Sequence, residues 1–125
     1  LTQHKETERL AARLFMALEN YPEVEKRLAP LMDRNLQDAL PEDIFLRAEA
    51  LYRDDKPKSA LPFFTHLAET SADADQARFR AAQIHLTAGK RSLGLKFLRQ
   101  LAEEGRSELW RKMARETLAL QLEKP

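Results

Sequence analysis

The sequence contains no cysteine, only 3 glycines and 3 histidines, and almost no net charge. The absence of cysteine excludes disulfides and thiolate metal sites, but it leaves the redox compartment open. Lys and Arg total 21 against 20 Asp and Glu, so no overall field directs the protein to nucleic acid or to acidic membranes. His4, His66 and His85 lie far apart without ligand spacing, so we predict no metal site and no other cofactor.

Long apolar runs are also missing. No stretch approaches the roughly 20 apolar residues that a membrane-spanning helix needs, and no signal peptide pattern is present. We therefore expect no direct membrane insertion, while the localisation, cytoplasmic or extracytoplasmic, stays open. Because the chain begins at Leu1 rather than Met, we expect a processed product or a domain of a longer protein. Without cysteine, a Gly-x-Ser-x-Gly motif or a histidine spaced closely to a nucleophile, we predict that it is not an enzyme.

What the sequence does contain is helical periodicity nearly from end to end, interrupted by short turn signals. No sustained apolar–polar alternation predicts a strand, so the fold class is all-α with about seven helices. A length of 125 residues fits one domain. The predicted helices cover about residues 6–19, 22–36, 42–53, 57–69, 74–89, 91–104 and 107–123.

Local signals refine some of these helix ends. A proline inside a helix removes one backbone donor and clashes with the preceding turn. We predict that Pro30 kinks the second helix, and that the fourth helix starts late, with Ser59 as its cap and Pro62 in its first turn. Gly89 predicts a left-handed end for the fifth helix, because it has no Cβ to clash. Ser107 is predicted to cap the seventh helix.

The most informative pattern is a helical hairpin that occurs twice, at an offset of 34 residues, over 45–69 and 79–103. The matching residues are Phe45/Phe79, Ala48/Ala82, Lys56/Lys90, Leu61/Leu95, Phe63/Phe97, Leu67/Leu101, Ala68/Ala102 and Glu69/Glu103. A period of this length built from two short helices is typical of repeat arrays, which stack into a superhelix with a concave face. Such arrays mostly bind other proteins.

These residues resemble the tetratricopeptide repeat family. That family has a 34-residue repeat with small residues where the two helices cross and a large apolar residue beside them, since helices approach closely only over small side chains. The small residues here are Ala48 and Ala60 in one repeat and Ala82 and Gly94 in the next. Phe64 and Leu98 are the large neighbours. The chain departs from the family pattern at Arg78, where a bulky apolar residue is usual, and at His85, where tyrosine is frequent.

The resemblance implies antiparallel helical hairpins stacked as a tetratricopeptide-like right-handed superhelix. It is clearest over residues 42–104 and implies one helical-repeat domain over residues 1–125. Within it, we expect a degenerate first hairpin at 1–40, repeats at 42–70 and 74–105, and a capping helix or half-repeat at 107–123.

In this family the first helix of each hairpin lines the concave face, so the resemblance also implies a partner-binding groove. Its residues here are Phe45, Glu49, Tyr52, Phe79, Gln83, Leu86, Met113, Thr117 and Leu120. Phe45, Phe79 and Met113 recur every 34 residues, and such an apolar line suits a partner helix or hydrophobic peptide. The alternative is that they are ordinary core residues, which is the commoner role of aromatics at helical spacing.

The predicted function is a protein-binding scaffold or adaptor within a larger protein or complex. Nucleic acid is not expected, because the groove lacks polar base-contacting pairs. The alternative is self-association into a homo-oligomer through an apolar stripe of the last helix, made of Trp110, Met113, Ala114 and Leu118. Packing of that stripe against the sixth helix is its default role.

Overall fold

The computed structural model describes residues 2–71 and 73–124, and side chains from residue 4 onward within those ranges. These residues form seven α-helices and no strand, which confirms the all-α prediction. The helices are α1 (Thr2–Ala17), α2 (Tyr21–Leu28), α3 (Pro41–Arg53), α4 (Pro57–Thr70), α5 (Asp75–Thr87), α6 (Arg91–Glu104) and α7 (Glu108–Leu122). Short 3₁₀ turns at Ala29–Leu31 and Leu36–Asp38 lie between α2 and α3.

The chain divides into two compact units, Leu1–Phe63 and Phe64–Pro125. In the first, α1 packs on α2, α2 packs on α3, and α1 touches α3; in the second, α5, α6 and α7 make the corresponding contacts. Three residues join α1 to α2 and α5 to α6. Since packed helices with so short a connection run antiparallel, each unit holds one hairpin followed by a further helix, α3 in the first unit and α7 in the second; the boundary between the units falls within α4.

The turn that closes each hairpin recurs with the same backbone geometry. Glu19, Asp55 and Gly89 have φ values of 58°, 61° and 81°, in the left-handed region. The residue after each one donates its N–H back across the turn, with N···O distances of 2.8 Å from Asn20 to Phe15, 2.9 Å from Lys56 to Leu51 and 2.8 Å from Lys90 to His85. The predicted left-handed end at Gly89 is confirmed, and the turns are spaced by 36 and 34 residues.

Small buried residues lie at matching positions before these turns. Ala12, Ala48 and Ala82 each stand seven residues before the left-handed residue, and all three are fully buried. In α6, a Cβ added to Gly94 would lie 2.6 Å from Cγ of Leu86 and 3.3 Å from the carbonyl oxygen of Ala82. A side chain at Gly94 would therefore collide with the Leu86 side chain, at a point where the α6 helix also lies close to the α5 backbone.

Both proline predictions were wrong in detail. The second helix does not kink at Pro30; α2 stops at Leu28, and Pro30 lies in the following 3₁₀ turn. The fourth helix does not start late, since α4 begins at Pro57 and continues through Pro62. Pro57 suits a helix start because its missing N–H has no intrahelical acceptor there. Pro62 is tolerated because it is exposed, so water can reach the carbonyl it leaves unpaired.

The start of α7 is held by a residue of another helix. Ser107 occupies the predicted N-cap position, but its side chain makes no capping hydrogen bond. Instead, the carboxylate of Asp75, at the start of α5, accepts the N–H groups of Arg106 (3.1 Å) and Ser107 (2.8 Å). Asp75 is buried and also lies 3.8 Å from the guanidinium of Arg78. One carboxylate thus fixes α7 relative to α5.

Relief of the left-handed strain at Glu19 should stabilise the protein. A residue with a Cβ costs about 1–2 kcal/mol in this conformation, partly offset by the greater freedom of glycine in the unfolded chain. We expect Glu19→Gly to raise the free energy of unfolding by about 0.5–1 kcal/mol. Gly89→Ala should lower it by a similar amount, although no atom lies within 4 Å of the added Cβ. Urea denaturation followed by circular dichroism measures both; equal effects of the same sign would contradict the assignment.

Loss of the Asp75 carboxylate should destabilise the protein far more than loss of the Ser107 hydroxyl. Asp75→Ala leaves two N–H groups at the start of α7 without their acceptor, and we expect a loss of about 2 kcal/mol. Ser107→Ala removes no capping bond and should cost less than about 0.5 kcal/mol. The same urea titration compares the two variants, and a Ser107→Ala effect as large as that of Asp75→Ala would show that the hydroxyl is the cap.

Candidate functional site

The predicted groove residues of the first unit lie on one side of α3. Phe45 and Tyr52 are half-buried, and Glu49 is buried between them in sequence. The Glu49 carboxylate accepts a hydrogen bond of 3.2 Å from Nε of Arg53, whose side chain is half exposed. A buried carboxylate with a solvated cation at its edge gives this side of α3 a polar centre rather than a continuous apolar one.

In the second unit the predicted groove residues differ sharply in exposure. Phe79 is only 7% exposed and belongs to a hydrophobic cluster with Ala82, Leu98, Leu101 and Ala114. The Phe79 ring lies against Trp110 of α7, with ring centroids 5.5 Å apart and planes tilted by 52°. Leu86 and Met113 are partly buried against the same cluster. Phe79 therefore packs as a core residue, the alternative that its sequence pattern left open.

The remaining predicted residues of this unit present polar groups or exposed apolar surface. Oε1 of Gln83 accepts a hydrogen bond of 2.9 Å from Arg80, one turn earlier on α5. The Thr117 hydroxyl donates a hydrogen bond of 2.8 Å to the carbonyl oxygen of Met113, so its proton is used within its own helix. Leu120, near the end of α7, is 62% exposed. Leu120 is thus the predicted groove residue of this unit that solvent reaches most directly, while Gln83, Leu86, Met113 and Thr117 are half-buried.

The stripe predicted as an alternative oligomer contact is engaged within the second unit. Ala114 is fully buried in the cluster, and Trp110, Met113 and Leu118 pack against it. This burial favours the packing role of the stripe over a contact between molecules. The strongly exposed leucines of α7 are instead Leu109, Leu120 and Leu122.

Three exposed leucines at the end of α1 lie outside the predicted site. Leu10, Leu14 and Leu18 are 63%, 59% and 65% exposed, although leucine is normally buried. Leu10 and Leu14 lie one turn apart on one face of α1, and Leu18 follows in the turn after the helix ends at Ala17. That spacing is visible in the sequence, but periodicity alone predicts a face that packs inside the protein; the exposure of these leucines among the described residues shows that this face is largely uncovered.

His85 is the buried histidine of the α5–α6 interface. Its ring is 8% exposed and stacks on Phe97 of α6, with centroids 5.6 Å apart and planes 20° from parallel. Its Nδ1 atom has no hydrogen-bond partner among the described residues. Burial, and to a smaller degree the charge of Lys90, lowers the pKa of His85 below its ordinary value of 6.5. The imidazole is therefore neutral at pH 7.

Neither a cavity of the first unit nor the described His, Asp and Glu side chains form a selective ligand site. A cavity of about 460 Å³ lies in the first unit and is lined by Lys5, Pro30, Leu31, Asp33, Arg34, Asn35 and Asp38. Two cationic side chains and two carboxylates line it, so it favours neither an anionic nor a cationic ligand. The Asn35 amide already donates a hydrogen bond of 3.2 Å to Asp38. Within residues 2–71 and 73–124, no three His, Asp or Glu side chains are grouped to hold a metal ion. Over the same residues, no helix has the length and apolar character needed to cross a membrane.

The free energy of unfolding should fall as the pH drops through the range in which a histidine of the unfolded chain takes up a proton. The unfolded chain binds a proton at His85 below about pH 6.5, while the folded protein resists it, so protonation favours unfolding. We expect the free energy of unfolding to decrease from pH 7 to pH 5.5, by no more than about 1.4 kcal/mol per pH unit for this one proton. His85→Leu keeps the site apolar and should flatten that slope. An unchanged slope in the variant would assign the pH dependence to other groups.

Comparison with known proteins assigns no family to the chain. No family model, no curated protein and no solved structure matches the chain. The likeness to tetratricopeptide repeats therefore depends on the 34-residue period and on the small residues at the helix crossings, and function has to be inferred from packing and exposure.

Proposed function

We propose that this chain is a protein-binding module of the helical-repeat type, in which the first helices of successive hairpins form the contact surface for a partner peptide or helix. The hairpins would stack as a right-handed, tetratricopeptide-like superhelix. The observation that carries this proposal is the recurrence of one hairpin turn at Glu19, Asp55 and Gly89 with the same hydrogen bond across each.

The packing within each unit supports a repeat. A second helix that packs on its own hairpin partner and also on the first helix of the next hairpin is the arrangement from which repeat arrays are built. Here α2 lies between α1 and α3, and α6 lies between α5 and α7. An array of this kind leaves one side of its first helices free for a ligand, and it needs no catalytic group.

Exposure separates the side chains that could contact a partner from those that hold the fold. Phe79 is part of the core, so its removal would test stability rather than binding. Gln83 and Leu120 keep accessible side chains on α5 and α7. On α3, the half-buried Tyr52 offers an aromatic ring with a polar tip, a residue type enriched at protein interfaces. The proposed contact is therefore more mixed in polarity than the aromatic line alone.

Site-specific photo-crosslinking in the native lysate tests the proposal. A photoreactive phenylalanine analogue is placed at Gln83 or at Leu120, and at Lys96 on the exposed side of α6 as the matched control. We expect both test positions to capture the same protein, identified by mass spectrometry, while position 96 does not. Urea denaturation first establishes that each variant keeps wild-type stability.

Two outcomes would count against this function. Capture of one set of proteins from all three positions would indicate nonspecific contact, because α6 lies on the other side of the hairpin in the proposed repeat. No capture from Gln83 and Leu120, in a lysate where the added purified protein stays folded, would show that the first helices bind no protein there.

A further inference from the structure

We propose that the α5–α6 hairpin is an acid-sensitive hinge, in which a proton taken up by the buried His85 ring opens the hairpin while the first unit stays folded. This conformational device lies inside the second unit. It goes beyond the proposed contact surface on α5 and α7 and does not depend on it. Three features of the hairpin support it: the position of His85 in the closing turn, the surroundings of its ring, and the charges on the packed helices.

His85 occupies a position of the closing turn that is apolar in the other two turns. The residues at this position are identified by their carbonyls, which accept the N–H across each turn: Phe15, Leu51 and His85. Leu51 is 7% exposed and His85 is 8% exposed, so both side chains are packed. The α5–α6 hairpin therefore holds a titratable ring where the turn at Asp55 has a leucine.

The surroundings of the His85 ring suit the neutral imidazole better than the cation. The ring stacks on Phe97 of α6, and its Nδ1 atom is buried without a hydrogen-bond partner among the described residues. With its proton on Nε2, the neutral ring leaves Nδ1 as a bare acceptor, whereas the imidazolium carries an N–H at both nitrogens. Protonation therefore places an unpaired donor in the interface, and opening of the hairpin lets water reach it.

The charged groups of α5, α6 and their turn place no carboxylate beside His85. Lys90, in the turn, is the residue whose charge acts on the ring among the described residues, and it disfavours the imidazolium. Asp75 stands ten residues before His85 on α5, and Glu103 stands six residues after Phe97 on α6. The other charged side chains of these two helices are one more carboxylate near the end of α6 and a set of cations: Glu104, Arg78, Arg80, Arg91, Lys96 and Arg99.

The charged groups of α7 do not compensate the cation either. Glu108, at the start of that helix, accepts hydrogen bonds from Arg111 (2.6 Å) and Arg115 (3.0 Å). Glu116 and Lys112 are exposed. A proton on His85 therefore has no anionic partner to hold it in the folded hairpin.

Two features favour the cation, but burial and Lys90 outweigh them. His85 lies in the last turn of α5, where the helix dipole attracts positive charge, and the face of Phe97 does the same. The His85 carbonyl at this helix end already accepts the N–H of Lys90. The net result is a pKa of His85 below its ordinary value of 6.5. The open hairpin takes up a proton at the ordinary value, so acid below pH 6.5 favours the open form.

The proton should act on the second unit and not on the chain as a whole. His85 lies in the second of the two compact units. His4, the histidine of the first unit, is exposed, so a proton on it displaces no packed group. Histidine is the side chain that ordinarily changes charge between pH 5 and 8. Local opening of one cooperative segment costs less free energy than global unfolding, so the hairpin opens first.

Hydrogen exchange of the full chain at pH 7.5, 6.5 and 5.5 tests the inference. Protection factors, which remove the intrinsic pH dependence of exchange, are measured for each helix by NMR. We expect those of α5 and α6 to fall by about three- to tenfold over this range, and those of α1, α2 and α3 to change by less than about twofold. His85→Leu, which introduces the residue found at position 51, should remove the fall. His66→Asn is the matched control and should leave it intact.

A second readout needs no variant. The Cε1–H signal of His85 in the wild-type protein should titrate with a midpoint below pH 6.5, in step with the loss of protection in α5 and α6. Equal falls in α1–α3 and in α5–α6 would show that acid unfolds the whole chain and would overturn the hinge. So would constant protection at all three pH values, titration of the ring without loss of protection, or an undiminished fall in His85→Leu.

Discussion

Close approach of two helices over side chains of minimal size is the constraint on which each hairpin depends. At the α5–α6 crossing, a Cβ on Gly94 would clash with the Leu86 side chain and would lie 3.3 Å from the Ala82 carbonyl oxygen. Because the helices lie so close, a connection of only three residues is long enough to join them. In each such connection, one residue in the left-handed conformation reverses the direction of the chain. The turn in turn fixes which residues of the first helix face its partner. The core and exposed positions of the hairpin follow from that register.

Much of the fold was predictable because its signals are local. The bounds of α6 follow from Gly89 and Gly105, and the 34-residue period matches the spacing of the left-handed residues Asp55 and Gly89. The breaks before Pro22 and Pro57 were predicted, but the left-handed conformation of Glu19 and Asp55 was not, since neither residue prefers positive φ as glycine does. The Pro62 prediction failed because the cost of a proline inside a helix depends on whether water can reach the freed carbonyl, and exposure is a tertiary property. The Pro30 prediction failed because α2 ends at Leu28, before that proline.

The candidate site was less predictable, for a related reason. The helical periodicity predicts that Phe79 faces inward. It cannot distinguish a core position from a groove position, because both lie on the inward side of a single helix. Only the approach of Trp110 to within 5.5 Å shows that Phe79 is packed. The polar contacts between helices were missed entirely. Asp75 with the start of α7, Glu25 with Arg47, and Arg9 with Asp43 at 2.7 Å each join residues more than twenty positions apart. No spacing rule predicts such pairs.

The crowding at Gly94 makes two positions of the chain inseparable. Alanine at 94 would restore helix propensity, but its methyl group would occupy the volume of the Leu86 side chain, 2.6 Å away. Shortening Leu86 alone would leave a void at the edge of the cluster that Leu98 and Leu101 anchor. Either change is unfavourable by itself. Made together, they add side-chain volume at position 94 and remove it at position 86. The residues therefore behave as one thermodynamically coupled pair, and sequences that keep this hairpin should vary at both positions together or at neither.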